Sequence, residues 1–186
     1  MHDFRSVRAG RESASLAAPG FGDAAMRVGL WFVLMLAGGA ACAADAPSSM
    51  QAMQPLLGSW HCDGVFPASG KKISSTIRFD TDLGGAGLLK HHDDIAPDTY
   101  RAVEAWTYDA KGRQFNAAIV DSFGGARRFS SPGWAGDTLT WTSAPEVQPA
   151  QQFVYVRAAD GTLRMDWQVQ RNGSFAVGDT LTCKRQ

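Results

Sequence analysis

Turn residues recur about every ten positions from residue 58 onward, and short runs of alternating apolar and polar residues lie between them. This spacing is typical of an all-β sandwich or barrel. Apart from a short turn near residues 50–57, no helix is predicted. Ten strands are predicted, near residues 58–66, 73–82, 87–94, 99–109, 113–121, 125–131, 137–143, 151–158, 162–170 and 174–184.

Several connections between these strands have the composition of tight hairpin turns. Residues 109–112, 159–161 and 171–173 contain the Gly and Asn residues that supply a positive φ. Consecutive hairpins imply an up-and-down order, and closing the sheet removes the exposed edges of ten uncovered strands. Residues 56–186 are therefore predicted to form a single up-and-down antiparallel barrel of about ten strands.

The period-two alternation predicts which side chains face the barrel interior. On the third, fourth, sixth and eighth predicted strands the alternation is ambiguous. The predicted inward residues are Ile73, Ser75, Ile77 and Phe79; Phe115, Ala117 and Ile119; Leu139 and Trp141; Leu163, Met165, Trp167 and Val169; and Phe175, Val177, Asp179, Leu181 and Cys183.

Two cysteines lie on the strands that meet when the barrel closes. Cys62 shares a face with Trp60, which we expect to close the barrel floor, and Cys183 shares a face with Leu181. The start of the first strand meets the end of the last, so a disulfide is predicted between them. It would close a loop of about 120 residues and contribute on the order of 4 kcal/mol. The alternatives are two free thiols or metal ligands, but no CxxC motif accompanies them.

Residues 26–43 have the pattern of a secretory signal peptide. Arg27 precedes an apolar run, residues 28–37, and Ala43 ends an A-x-A cleavage site. The run is shorter than the roughly 20 apolar residues of a membrane span. The alternatives are a membrane anchor or a lipoprotein modified at Cys42. Cleavage near Ala43 predicts a periplasmic or secreted protein.

Two further segments flank this signal. Residues 1–25 precede a complete signal peptide, which indicates a mis-assigned start or a disordered extension. Residues 44–55 are interpreted as a linker. Residues 44–186 carry 14 Lys and Arg against 15 Asp and Glu, a formal charge of −1. No basic stripe is present, so nucleic acid is not an expected partner. No basic amphipathic helix is present, so stable membrane insertion is not expected. The protein is expected to be a monomer.

Short motifs resemble those of known barrels. Gly58-Ser59-Trp60 resembles the Gly-x-Trp signature of lipocalins and other calycin-like barrels. Over most of residues 55–186, the chain resembles an uncharacterised bacterial family of calycin-like barrels, a domain of unknown function related in fold to ten-stranded nitrobindin-type barrels. The motifs that carry this second resemblance are Trp106-Thr107-Tyr108-Asp109, Gly112, Phe115, Asp121-Ser122, Gly136-Asp137 and Leu181-Thr182-Cys183.

The resemblance implies a barrel interior that holds a small apolar ligand. Nitrobindin-type relatives bind haem through a His near the C-terminus, and no His follows His92 in this chain. Haem is therefore not expected unless His61, His91 or His92 substitutes for that ligand, and no cofactor is predicted.

Candidate ligand-binding residues combine interior aromatics with polar groups. Two adjacent His residues point to opposite faces of a strand, so at most one side chain of His91-His92 faces inward. The same holds for Arg127-Arg128, of which one could pair with a ligand carboxylate. The alternative is that the aromatic rings only fill the core. The candidates are Trp106, Trp141, Phe79, Phe115, Tyr108, Arg128 and His91.

No catalytic or metal-binding motif is identified, so three hypotheses remain open. The first is a binding protein for a small hydrophobic or amphipathic molecule, which requires a cavity of about 300 Å³ or more. The second is an envelope interaction or inhibitor module, with a filled interior and an exposed apolar patch. The third is an isomerase-like enzyme, with two titratable groups of opposed pKa shifts in the barrel mouth.

Overall fold

The computed structural model describes residues 49–186. The predicted signal peptide, the extension before it and residues 44–48 of the predicted linker lie outside the described residues. The described part of the chain starts with a 3₁₀ helix, Met50–Leu56, and a second short 3₁₀ turn, Leu83–Gly85, joins β2 to β3. The strands are β1 (Gly58–Phe66), β2 (Lys71–Asp82), β3 (Gly87–Asp94), β4 (Arg101–Asp109), β5 (Gln114–Asp121), β6 (Ala126–Ser131), β7 (Trp134–Ala135), β8 (Thr138–Ser143), β9 (Gln151–Arg157), β10 (Leu163–Arg171) and β11 (Ser174–Arg185).

The strands form a closed ten-stranded antiparallel barrel in up-and-down order. Each of β1–β5 pairs with the strand that follows it, and so do β8, β9 and β10. The first strand, β1, also pairs with the last, β11. The circle closes between β6 and β8 through Phe129 opposite Ser143 and Ser130 opposite Thr142. The predicted fold class is confirmed. The two-residue strand β7, which pairs only with β8, was not predicted.

The seam between the first and last strands lies where the sequence predicted it. Cys62 is directly opposite Cys183 in the β1–β11 ladder, and the two form a disulfide with Cα atoms 3.9 Å apart. Both cysteines are fully buried. The predicted disulfide is confirmed, and free thiols and metal ligation at this pair are excluded.

The two ends of the barrel differ. The loops that follow β1, β3, β5, β8 and β10 lie at one end, which we call the upper end, since alternate strands of the meander run in the same direction. At the lower end the N-terminal 3₁₀ helix packs on the barrel, with Met53 and Leu56 fully buried. Trp60 Nε1 donates to the Leu56 carbonyl at 2.8 Å. Residues 50–55, assigned to the linker from the sequence, thus belong to the packed domain.

Burial confirms the predicted inward faces of β2, β5, β8 and β10, but part of β11 differs. Trp167 lies opposite Asp179, whereas Gln168 lies opposite Val177. Gly178 is therefore an extra residue, a β-bulge, which reverses the alternation before it. Phe175 and Val177, predicted to face inward, are 36% and 41% exposed, so that prediction is wrong.

Candidate functional site

The lower half of the barrel interior is filled by aromatic side chains. The Trp106 and Trp141 rings lie 4.5 Å apart, and Phe79 meets Trp106 edge-on at 5.6 Å. Phe115 is fully buried and packs against Tyr108 at 4.9 Å. Trp60, 4% exposed, completes this layer above the 3₁₀ helix. The lower half is a solid apolar core.

The upper half contains a cavity of about 470 Å³. It reaches the surface at the upper end, because Phe123 in its lining is 75% exposed. The lining joins apolar and aromatic side chains to a group of ionisable ones. It consists of Phe66, Ile73, Lys90, His92, Asp94, Tyr100, Glu104, Asp121, Phe123, Gly125, Arg127, Phe153, Tyr155, Met165, Trp167, Asp179 and Leu181.

A buried ion pair forms the floor of this cavity. Lys90 Nζ lies 2.6 Å from Glu104 Oε1 and 3.0 Å from the Tyr155 hydroxyl oxygen. Trp106 Nε1 donates to the other Glu104 oxygen at 2.9 Å, which links the floor to the apolar core. Burial acts to lower the pKa of Lys90, but the Glu104 charge and the Tyr155 hydroxyl outweigh it and raise this pKa. Burial raises the pKa of Tyr155. The charged groups of the floor thus have their hydrogen-bond partners within the protein.

One wall of the cavity carries a histidine–carboxylate pair. Asp94 is 6% exposed and accepts a hydrogen bond from Ser75 Oγ at 2.7 Å. His92 Nε2 lies 3.2 Å from the same Asp94 oxygen. Burial acts to raise the pKa of Asp94, but the hydrogen bonds from His92 and Ser75 outweigh it and lower this pKa below its ordinary value. Asp94 is therefore held as a carboxylate.

Asp179 on β11 has a different environment. Among residues 49–186, no Lys, Arg or His nitrogen pairs with its carboxylate within 4 Å. Burial, with the nearby Asp94 charge, raises the pKa of the Asp179 carboxyl to about 7, and the Trp167 backbone N–H offsets this only in part. Two carboxyl groups with opposed pKa shifts thus line one cavity.

A hydrogen-bonded network fixes the cavity rim. Arg127 Nη2 lies 2.8 Å from Asp121 and 3.3 Å from the Tyr100 hydroxyl. Gln151 Oε1 accepts from Arg127 Nη1 at 2.9 Å and from Trp167 Nε1 at 3.2 Å. Asp121 also accepts the backbone N–H of Gly125 at 3.0 Å. A Cβ atom at position 125 would lie 2.3 Å from an Asp121 carboxylate oxygen, so a larger residue there would displace this carboxylate.

None of the seven ligand-binding candidates from the sequence lines this cavity. Trp106, Trp141, Phe79, Phe115 and Tyr108 lie in or against the lower core. The two remaining candidates face outward, as described next, and a ligand-binding role for any of the seven stays a prediction.

The expected inward orientation of Arg128 and His91 is wrong. Arg128 is 75% exposed and pairs with Glu146 at 2.6 Å. His91 lies opposite Arg78 and Val103, whose side chains face solvent. The adjacent residues Arg127 and His92 take the interior positions. As expected from the alternation, only one residue of each pair faces inward.

The sequence pattern did not reveal the polar residues that line the cavity, because a prediction from hydrophobic alternation assigns polar residues to the solvent-facing side of a strand. One available signal was the pairing of β2 with β3, which aligns Ile77 with His92 and Phe79 with Lys90. Since opposite residues share a face, the inward residues of β2 determine those of β3. The interior position of Asp179 was predicted from the alternation on the last strand.

Residues 49–186 contain neither a metal-binding cluster nor a membrane-spanning helix. No three His, Cys, Asp or Glu side chains in this part of the chain are grouped closely enough to hold a metal ion. No helix within the same residues is long and apolar enough to cross a membrane.

Comparison with known proteins supports the barrel architecture. No protein-family model matches the sequence, and no curated protein matches it. The chain is similar to the crystal structure of Rv2717c from M. tuberculosis, with a TM-score of 0.54 and 17% identity over 76% of this chain and 99% of that chain. At this identity the similarity shows the fold alone.

Proposed function

We propose that this protein is an exported, calycin-like barrel that binds a small amphipathic molecule in its upper cavity. The observation that carries the proposal is the cavity of about 470 Å³ that reaches the surface at one end. Sites for small molecules typically occupy about 300–1,000 Å³ and combine apolar walls with a few placed polar groups. The interaction-module alternative requires a filled interior, so the cavity favours binding over that alternative.

The lining favours an amphipathic ligand rather than a purely apolar one. Met165, Leu181 and Phe153 offer apolar surface. At the floor and at the rim, the two charges of each ion pair neutralise one another, and the pairs hold the shape of the cavity. Asp94 and Asp179 face the same space without a permanently charged cation beside them. A ligand with an apolar body and a polar group would match both parts.

The exported location rests on two supports. The buried Cys62–Cys183 disulfide is compatible with a periplasmic or extracellular location. Residues 26–43 have the signal-peptide pattern. The calycin-like assignment rests on the Gly58-Ser59-Trp60 signature together with the barrel architecture.

Native mass spectrometry tests the binding function. The full chain is expressed in a Gram-negative host, purified from the periplasm and measured under native and then denaturing conditions. We expect a small molecule that co-purifies and is lost on denaturation. A bare native mass, together with no saturable uptake of a neutral apolar dye, would contradict the proposal.

A second candidate function is proton transfer on the bound molecule. It is favoured by the opposed pKa shifts of Asp94 and Asp179, because a carboxyl with a pKa near neutrality can both accept and release a proton. The co-purified ligand is incubated with the protein in D₂O and its mass is followed. Deuterium uptake at carbon by the wild type but not by Asp179→Asn supports this function, and no uptake by either contradicts it.

A further inference from the structure

The charges that line the cavity do not cancel. Lys90 neutralises Glu104 at 2.6 Å and Arg127 neutralises Asp121 at 2.8 Å. Two carboxyl groups, Asp94 and Asp179, remain in the lining. His92, 3.2 Å from Asp94, is the one side chain of the lining left to balance them. With both carboxyls ionised the cavity carries one surplus negative charge if His92 is protonated and two if it is neutral.

This surplus costs free energy in a partly dehydrated space. Charges in a low-dielectric environment are stabilised far less than in water, so an unpaired carboxylate there destabilises the fold. A bound cation would remove that cost, whereas a bound anion would add repulsion. The surplus negative charge of the cavity therefore favours a positively charged ligand over a negatively charged one.

An aromatic ring lies beside the unpaired carboxyl. Trp167 is directly opposite Asp179 in the β10–β11 ladder, and opposite side chains of a sheet are neighbours on the same face. The bulge at Gly178 sets this alignment. A side chain at position 178 would lie 2.5 Å from the Trp167 ring, so the ring rests against the bare backbone there. Bulges of this kind commonly re-aim side chains at functional sites.

The aromatic lining falls into two groups. Lys90 already lies over the rings of Phe153 and Tyr155, at 5.8 and 5.5 Å. Within residues 49–186, no Lys or Arg lies over the ring of Trp167, Tyr100 or Phe123. A carboxylate beside such rings is the combination that recognises ammonium groups. Trp is the aromatic side chain that attracts a cation most strongly.

We propose that the ligand of this cavity carries a positively charged amine, which pairs with Asp179 beside the Trp167 ring while its apolar body contacts the cavity wall. This inference rests on the proposed binding function and names the chemical class of ligand for the same site. Asp94, fixed by His92 and Ser75, adds to the negative potential at the amine.

The test separates binding from charge selection. The exported protein is titrated at pH 8 with N-phenyl-1-naphthylamine, a neutral fluorescent dye, and the bound dye is displaced with octylamine, octan-1-ol or octanoate. These three competitors share one alkyl chain and differ in charge. We expect octylamine to displace the dye at about one tenth of the octan-1-ol concentration, the factor for one charge-assisted contact. Octanoate should be the weakest competitor.

Two variants test whether Asp179 causes the preference for octylamine. Asp179→Asn keeps the shape and removes the charge, so octylamine should become no better than about threefold over octan-1-ol when both competitors are measured in the same variant. Asp63→Asn is the control, because it removes the same charge from a side chain that is 76% exposed and outside the cavity. This variant should keep the tenfold preference.

The possible failures are distinguishable. Saturable dye binding without an amine preference, or with a preference that survives Asp179→Asn, overturns the inference and leaves the proposed function standing. Absence of saturable dye binding by the folded wild type, together with a bare native mass, overturns the proposed function, and the inference with it.

Discussion

The lower and upper halves of the barrel interior are built on the same strands but differ in composition. On β4, Trp106 belongs to the lower aromatic core and Glu104, two residues earlier, to the floor of the upper cavity. On β3, Leu88 is buried in the core while Lys90, His92 and Asp94 line the cavity. One continuous inward face therefore changes from apolar to charged within a single strand.

This difference separates the stabilising part of the molecule from its candidate functional part. The lower half buries aromatic surface, the main favourable contribution to folding. The upper half keeps empty space and an unpaired carboxyl, both of which oppose folding. Proteins commonly retain such destabilising features where binding requires them. Four predictions test this division.

The largest effect is expected in the lower half. Trp106→Ala should reduce the free energy of unfolding by about 3–5 kcal/mol, since it removes a buried indole and leaves a cavity. It also removes the hydrogen bond to Glu104. Phe123→Ala, at a rim side chain that is 75% exposed, should change stability by less than about 0.5 kcal/mol. Urea denaturation compares the two, and equal losses would contradict the division.

The floor of the cavity should tolerate paired but not single substitution. Lys90→Met leaves Glu104 buried without its cation and should cost about 3–5 kcal/mol. The double variant Lys90→Met, Glu104→Gln removes both charges and should lie within about 1 kcal/mol of the wild type. The same denaturation experiment measures both. A double variant as unstable as the single one would show that the ion pair itself stabilises the barrel.

Asp179→Asn should increase stability, in a pH-dependent way. The folded-state pKa of about 7 lies above the ordinary value of 3.8, so the folded protein binds the proton more tightly than the unfolded chain. Ionisation of Asp179 therefore opposes folding as pH rises from about 4 to 7, and the penalty is complete above pH 7. We expect a gain of about 1–3 kcal/mol at pH 8 that diminishes towards pH 4. A gain in stability that does not change with pH would show that Asp179 is not the group whose pKa is raised.

Only a small effect is expected on the outer face of the barrel. Arg128→Ala removes an exposed ion pair with Glu146 and should change stability by less than about 1 kcal/mol. Dye affinity should not change, because Arg128 does not line the cavity. Loss of dye binding in this variant would restore Arg128 as a ligand-binding residue.

The sequence predicted the barrel and its seam because those features follow from local rules. Alternation and turn composition are properties of neighbouring residues, and they located ten strands and the inward faces of Ile77 and Trp141. The Cys62–Cys183 pairing followed from antiparallel closure, which needs only the order of the strands. No long-range information beyond that order was required.

The cavity could not be predicted in the same way. A charged residue on an inward face violates the rule from which the face is inferred, so Lys90 and Glu104 gave no signal of their own. Their positions become evident only from pairing with strands whose faces are already known. At Gly178 the alternation itself changes, and an isolated glycine in a strand was the one available indication.

The close contact of Trp106 with Trp141 has a spectroscopic consequence. Two indole rings 4.5 Å apart and inclined by 50° couple their electronic transitions and should produce a paired signal in far-ultraviolet circular dichroism. Trp167, in the cavity wall, should instead report through its fluorescence. A ligand that fills the cavity should therefore change the part of the fluorescence that a Trp167→Phe variant lacks, while the circular dichroism signal of the Trp106–Trp141 pair stays constant.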